Sequence, residues 1–133
     1  MVFYLRKNYV ITTFSVESTT KSQIKDELII ALFMNNIITD SNKFYDNYFS
    51  DGLEYFNYEF KIKDIKKELG NIYITFKTTP VIGAHNPVGD DEITYKVDVF
   101  GNKTLENFTH KKSYEIPPWL QNNMIKTYPE TKN

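Results

Sequence analysis

Two histidines and two neighbouring aspartates carry most of the chemistry that this sequence could perform. His85, Asp90 and Asp91 lie within seven consecutive positions, and His110 is the other histidine of the chain. Imidazole and carboxylate groups are common donors at divalent metal sites. A histidine that is oriented by a carboxylate also exchanges protons near neutral pH. The candidate catalytic residues are therefore His85, Asp91 and His110, for either metal-dependent or acid–base hydrolysis.

The stretch from Gly83 to Glu92 is the segment that holds three of these four residues. It reads Gly-Ala-His-Asn-Pro-Val-Gly-Asp-Asp-Glu. Prolines end strand pairing and glycines allow unusual backbone angles, and ten residues exceed the 2 to 5 that hairpin loops usually need. Long, stiff loops often bind ligands, which makes the candidate binding residues His85, Asn86, Asp90, Asp91 and His110. The alternative is an inert turn, in which Asn86 and Asp90 bond to nearby backbone and His85 packs.

Strand pairing is what would bring His110 to this loop. Ile93, Tyr95 and Val97 alternate with polar residues, and Gly101 suits the first central position of a two-residue hairpin turn. A turn at Gly101-Asn102 places His110 opposite Ile93, so that the side-chain nitrogens of the two histidines lie within about 8 Å. The apolar residues Leu105 and Phe108 have opposite parity, which predicts a bulge and a shift of this register.

The remaining elements form the scaffold. Thr20 and Gln23 fit a capping box for a helix over residues 20–38. A broad stripe along this helix is expected to lie deep against a sheet, and it contains Ile24, Leu28, Leu32 and Asn35 beside Ile29, Ile30 and Phe33. Asp40 or Ser41 suits the start of a second helix that runs to about Phe49. Two further strands are predicted from alternation at Phe56, Tyr58, Phe60 and Ile62 and at Ile72, Ile74 and Phe76.

Composition limits the possible classes of protein. A chain of 133 residues with 41% apolar residues fits one domain over residues 1–133. The net charge of -1 does not favour nucleic acid as a partner, and no apolar run is long enough for a transmembrane helix. The sequence has no cysteine, no phosphate-binding glycine loop and no His-Glu-x-x-His pair, and no cofactor is predicted.

The two ends of the chain receive separate predictions. Residues 1–18 combine Arg6 and Lys7 with a short apolar zone, which indicates either a degenerate export signal or an N-terminal arm. Residues 113–133 are predicted to cap an open edge of the core, with a short helix near Pro118.

A family resemblance rests on several of these segments. Gly83-Ala84-His85-Asn86-Pro87, Gly89, Asp91 and Phe108-Thr109-His110-Lys111 resemble an uncharacterised family of small, mostly secreted proteins from Gram-positive spore-formers, catalogued as a domain of unknown function. The similar region spans about residues 20–112. The family usually has Pro-Pro-Tyr-Gly where this chain has Pro87-Val88-Gly89, so the tyrosine is missing here. The resemblance implies export and an α+β shape, and it brings no known activity.

Together these observations predict an α+β fold, with N-terminal helices packed on a curved antiparallel sheet of about four strands, cystatin-like or nuclear-transport-factor-like. The predicted function is a non-enzymatic exported binding module that uses the 83–91 loop, and the alternative is a small hydrolase at the same end of the sheet. The predicted partner is a protein or a small ligand, bound by a monomer or a homodimer. The predicted location is outside the cell or in its envelope, with the cytoplasm as the alternative.

Overall fold

The structure, a computed structural model, describes residues 20–127. Its one long helix, α1 (Lys21–Tyr45), begins at the predicted capping box, because Thr20 and Gln23 exchange side-chain-to-backbone hydrogen bonds of 3.1 and 2.9 Å. The prediction of a break near residue 38 and a second helix was wrong. Ser41 is fully buried on the inner face of α1, and Asp40 accepts a hydrogen bond from Tyr95. Both side chains serve tertiary contacts and do not cap a new helix.

Only part of the predicted stripe of α1 meets the sheet. The buried residues of the helix are Ile30, Phe33, Ile37, Ser41 and Tyr45. Leu28 is 58% exposed, and Ile24 and Leu32 are exposed as well. At 3.6 residues per turn the row Ile24, Leu28 and Leu32 lies nearly opposite the buried row. Both rows are apolar, so spacing alone could not tell which one faces the core.

Seven strands follow the helix and form two antiparallel sheets. They are β1 (Leu53–Glu54), β2 (Phe60–Glu68), β3 (Asn71–Thr78), β4 (Val81–Ile82), β5 (Asn86–Pro87), β6 (Gly89–Val97) and β7 (Lys103–Ser113). The larger sheet has the order β2-β3-β6-β7, and the smaller has the order β1-β4-β5. The predicted α+β class with an antiparallel sheet is confirmed.

Three bulges in the two outer strands decide which side chains share a face. Lys63 is the extra residue in β2, and Glu106 and Lys111 are the extra residues in β7. The bulge predicted from Leu105 and Phe108 is therefore confirmed. The prediction that His110 lies opposite Ile93 was wrong, because β6 and β7 are joined by five residues, 98–102, and His110 pairs with Asp91. Asp98 holds this connection by accepting hydrogen bonds from the backbone of Phe100 and Asn102.

Two apolar clusters hold the layers together. The first lies between α1 and the larger sheet and contains Ile30, Phe33, Ile37, Phe60, Ile74, Phe76, Ile93 and Tyr95. The second joins the end of α1 to the smaller sheet and contains Tyr45, Phe49, Ile82, Val88 and Ile116. A 3₁₀ helix (Pro118–Asn123) follows, and Leu120 and Met124 pack on the second cluster. The second cluster lies beside Asp91 and His110 and supports their positions.

Some predictions concern parts of the chain that lie outside the described residues. The export signal or arm at residues 1–18 and the last six residues of the capping tail belong to these parts. Within residues 20–127 no helix is both long and apolar enough to cross a membrane.

Candidate functional site

Asp91 is the centre of a buried polar network. Its side chain lies on β6 and is 1% exposed. One carboxylate oxygen accepts a hydrogen bond of 2.6 Å from the Tyr45 hydroxyl, at the last residue of α1. The other lies 2.7 Å from Nδ1 of His110 on β7. The helix and two strands thus converge on a single carboxylate.

Pairing and stacking fix the ring of His110. Asp91 and His110 are direct partners across β6 and β7, and both point toward α1. The Phe44 ring stacks on the imidazole with centroids 4.7 Å apart, and the Tyr45 ring meets it edge-on. The His110 side chain is 10% exposed. Its orientation is therefore set by aromatic packing as well as by Asp91.

Ser113 completes a chain of hydrogen bonds on the other side of the imidazole. Its hydroxyl lies 2.8 Å from Nε2 of His110. Residues three apart in a regular strand point to opposite faces. The extra residue Lys111 lies between these two, so the bulge returns Ser113 to the face of His110. We call Tyr45, Asp91, His110 and Ser113 the Asp91 network.

Burial and hydrogen bonding act in opposite directions on Asp91. Removal from water raises the pKa of the Asp91 carboxyl, and the hydrogen bonds from His110 and Tyr45 lower the pKa again without cancelling the effect of burial. The neighbouring phenol responds to the same environment. Burial, followed by the negative charge of Asp91, raises the pKa of Tyr55. Ionisation inside this network is therefore costly.

The order Asp91, His110 and Ser113 is that of a carboxylate, imidazole and hydroxyl relay. With the carboxylate ionised, Nδ1 carries the proton and Nε2 accepts from the serine hydroxyl, which is the arrangement that activates a nucleophile. Such chemistry also requires donors for the developing oxyanion. The backbone N–H of Tyr114, next to Ser113, donates to the Val88 carbonyl at 3.2 Å. This amide is thus already occupied by a backbone carbonyl.

Metal binding has less support. Within residues 20–127 no three His, Cys, Asp or Glu side chains are grouped so that they could hold a metal ion. The partners of His85 are the aromatic residues Phe56 and Tyr58. The metal version of the hydrolase hypothesis therefore gains nothing from the geometry of the described chain.

The first part of the 83–91 loop belongs to a miniature hairpin, and its residues 89–91 belong to β6. β4 and β5 pair across the turn Gly83-Ala84-His85, and Asn86 donates to the Ile82 carbonyl at 3.2 Å. The local bond predicted for Asn86 in the inert-turn interpretation is thus present. Gly83 and His85 both have positive φ, 60° and 62°. Such an angle is uncommon for a residue with a side chain, and at His85 it stores backbone strain.

His85 forms one end of an exposed group of rings. Its imidazole stacks on Phe56 with centroids 4.7 Å apart and planes 22° apart. Phe56 in turn stacks on Tyr58 at 5.4 Å, and the Tyr58 hydroxyl lies 3.2 Å from Nδ1 of His85. Tyr58 is 61% exposed. We call Phe56, Tyr58 and His85 the ring stack.

A groove of about 500 Å³ begins at Tyr58 and crosses the outer surface of the larger sheet. Its charged lining residues include Glu59, Lys61, Lys77, Asp90, Glu92, Lys111 and Lys112. Asp90 accepts hydrogen bonds of 2.7 Å from the hydroxyls of Thr79 and Tyr114. The bond to Asp90, with burial second, raises the pKa of Tyr114 to about 12.

The residues predicted from the sequence thus divide among three places. Asp91 and His110 meet in the Asp91 network, Asp90 lies in the groove, and His85 lies in the ring stack. The two histidines contact different partners, and their proposed proximity stays a prediction.

Sequence reasoning missed four residues of these sites. Tyr45 and Ser113 belong to the Asp91 network, and Phe56 and Tyr58 belong to the ring stack. If the helix had been predicted without a break, helical spacing would have placed Tyr45 on its buried face. The face on which Ser113 lies depends on a bulge. Alternation in the sequence predicts a regular strand for Phe56 and Tyr58. Tyr58 lies in the 3₁₀ turn Asn57–Glu59, with Phe56 just before it.

One family covers most of this framework. A family described as "Protein of unknown function (DUF3888)" matches residues 24–112. The chain belongs to this family. The matched range contains Tyr45, His85, Asp91 and His110 and ends one residue before Ser113. Comparison with curated proteins and with solved structures gave no match.

Proposed function

We propose that this protein is a non-enzymatic binding module whose ligand contacts the ring stack and the adjoining groove. The observation that carries this proposal is the exposed, preformed stack of Phe56, Tyr58 and His85 at the rim of the groove. Aromatic side chains supply large contact areas at a low cost in conformational entropy. Tyr58 belongs both to the stack and to the groove lining. One ligand could therefore contact both surfaces.

The backbone at His85 supports this function. A non-glycine residue at positive φ costs about 1 to 3 kcal/mol and persists where the surrounding structure enforces it. At His85 this φ is 62°, and its exposed imidazole stacks on Phe56. Strain that serves only to present a side chain is typical of binding surfaces.

The partners of His85 favour binding over catalysis at the loop. A histidine that acts as an acid or base is commonly oriented by a carboxylate. The side-chain partner of Nδ1 in His85 is the phenol of Tyr58, and the imidazole stacks on Phe56. The loop therefore offers shape and aromatic surface more than proton transfer.

The test is a titration followed by NMR on the full chain. Nucleotides, dicarboxylates, oligosaccharides and short peptides are added separately, and the amide signals of residues 56–61 and 83–92 are recorded. We expect at least one class to shift these signals together, and we expect Tyr58→Ala to abolish the shifts. Tyr73→Ala, which alters a tyrosine outside the ring stack, is the matched control. If no class shifts the signals, the proposed binding site is wrong.

We also propose export to the medium or the cell envelope. The charged and apolar pattern of residues 1–18 and the resemblance to mostly secreted proteins support this location. Expression of the full chain in a Gram-positive host, with fractionation and N-terminal sequencing of the product, tests it. Recovery of the uncleaved chain in the cytoplasm would reject export.

A second candidate function is hydrolysis at the Asp91 network. It is favoured by one observation, the continuous relay from Asp91 Oδ1 through His110 to the Ser113 hydroxyl at 2.7 and 2.8 Å. A fluorophosphonate probe reports an activated serine. Labelling that disappears in Ser113→Ala and persists in Ser50→Ala would establish a nucleophile, whereas an unlabelled native protein would exclude this serine chemistry.

A further inference from the structure

Three of the four carboxylates that line the groove already have hydrogen-bond partners within the protein. Both oxygens of Asp90 accept hydrogen bonds, from Thr79 and Tyr114. Glu92 accepts a hydrogen bond of 2.8 Å from Lys63. Asp91 turns its carboxyl to the interior, where it meets Tyr45 and His110. Among the described residues, Glu59 is the lining carboxylate that has no such partner.

The lysines of the groove are in the opposite situation. Lys61 and Lys77 are direct partners across β2 and β3, and both are exposed. Like charges directly opposite one another destabilise a sheet. Within residues 20–127, the ammonium groups of Lys61, Lys77 and Lys111 make no hydrogen bond or close ion pair. The groove thus holds three ammonium groups without a direct partner among the described residues, although carboxylates also line it.

The acid–base behaviour of Glu92 reports this positive charge. The hydrogen bond from Lys63 is the main cause that lowers the pKa of Glu92, and the charges of Lys63, Lys111 and Lys77 add to it. Lys63 and Lys111 are both bulge residues, one in each outer strand. Bulges often re-aim side chains at functional sites. One bulge residue from each outer strand therefore acts on the same carboxylate, that of Glu92.

We propose that the groove binds a ligand that carries at least two negative charges, as a phosphate ester or a polycarboxylate. This inference rests on the proposed binding function and names the ligand class. Lys61 and Lys77 pair with one anionic group, Lys111 approaches a second, and the body of the ligand meets Tyr58. Ammonium groups act as point charges with three donors and accept either phosphate or carboxylate oxygens.

The test uses pyrophosphate and citrate as separate probes, with acetate as the singly charged control, on the full chain. We expect pyrophosphate, citrate or both to shift the amide signals of Lys61, Lys77 and Glu92, with acetate binding at least tenfold more weakly. The probe that binds more tightly identifies phosphate or carboxylate chemistry. Binding should weaken as salt is added, because exposed charges are screened.

Paired variants locate the site. The double variant Lys61→Gln/Lys77→Gln should weaken probe binding at least about tenfold. The control Lys66→Gln/Lys67→Gln changes two lysines at the far end of β2 and should leave binding unchanged. Equal loss in both variants, or shifts spread over the whole surface, would overturn the anion site. Binding of only neutral compounds near Tyr58 would reject this inference and leave the binding function standing. Anion binding that survives Tyr58→Ala unchanged would support the lysine site and reject a role for the ring stack.

Discussion

Asp91 and His110 face each other across β6 and β7, and their side chains meet at 2.7 Å beneath the end of α1. Tyr45 reaches the same carboxylate from the helix at 2.6 Å. The last turn of α1 is thus tied to two strands of the sheet through one acidic group, in addition to the apolar contacts of the core.

Loss of the Tyr45 hydroxyl should therefore destabilise the fold. Tyr45→Phe leaves one oxygen of a buried carboxylate without its donor, at a cost of about 1 to 3 kcal/mol. Tyr73→Phe is the matched control, because the Tyr73 side chain is only partly buried in the sheet. Thermal and urea unfolding measure both variants. Equal stability of Tyr45→Phe and the native protein would show that the bond to Asp91 contributes nothing.

Asp91 should give stability an unusual pH dependence. Its pKa in the folded protein is raised above the ordinary value of 3.8. The unfolded chain therefore loses its proton first, and the contribution of Asp91 to stability falls as pH rises from about 3.8 through the pKa in the folded state. The Asp91→Asn variant lacks this pH-dependent contribution to stability. Its melting temperature relative to the native protein should improve with rising pH in that window.

Asp98 supplies a control of opposite sign. Hydrogen bonds from the side chain and backbone of Asn102 lower the pKa of Asp98. Its contribution is therefore present above the ordinary pKa and is lost as pH falls through the lowered value. The deficit of Asp98→Asn should shrink toward acidic pH. Parallel pH trends for Asp98→Asn and Asp91→Asn would contradict the opposite assignments.

The buried face of α1 can be tested by a pair of truncations. Ile37→Ala creates a cavity at a fully buried position and should cost about 2 to 5 kcal/mol. Leu28→Ala changes a side chain that is 58% exposed and should alter stability by no more than about 0.5 kcal/mol. The free energy of unfolding in urea distinguishes the two. A larger loss of stability in Leu28→Ala than in Ile37→Ala would show that the opposite face of the helix packs against the sheet.

Lys63 should control the ionisation of Glu92. Lys63→Gln removes the hydrogen bond that is the largest cause of the lowered pKa of Glu92. The pKa of Glu92, followed through its side-chain carboxyl signal by NMR, should then rise toward the ordinary value of 4.5. Lys66→Gln, a change elsewhere on β2, should leave it unaltered. An unchanged pKa of Glu92 in Lys63→Gln would show that the hydrogen bond from Lys63 does not control its ionisation.

The α+β class could be predicted because its signals are local. The capping box at Thr20 and the alternation in Ile72, Ile74 and Phe76 depend on neighbouring residues. The buried face of α1 could not, since the row with Leu28 and the row with Ile37 are both apolar. Only contacts with the sheet distinguish them.

The candidate site was predicted in part for the same reason. Strand alternation indicated that Asp91 and His110 lie near one end of the sheet, but their direct pairing depends on a five-residue connection and on the bulge at Glu106. Ser113 joins His110 only because Lys111 is an extra residue. The proximity of His85 to His110 stays a prediction, and the contacts of the His85 ring with Phe56 and Tyr58 were not predicted.

The bulges also bear on the resistance of this protein to edge-to-edge association. Among residues 20–127, β2 and β7 are the outermost strands of the larger sheet, and each carries at least one bulge. Unpaired edges invite strand addition and aggregation, and proteins resist it with bulges and lysines at those positions. Lys63 and Lys111 combine both devices, with one on each edge. Replacement of both by uncharged residues is therefore expected to lower the protein concentration at which edge-to-edge association begins.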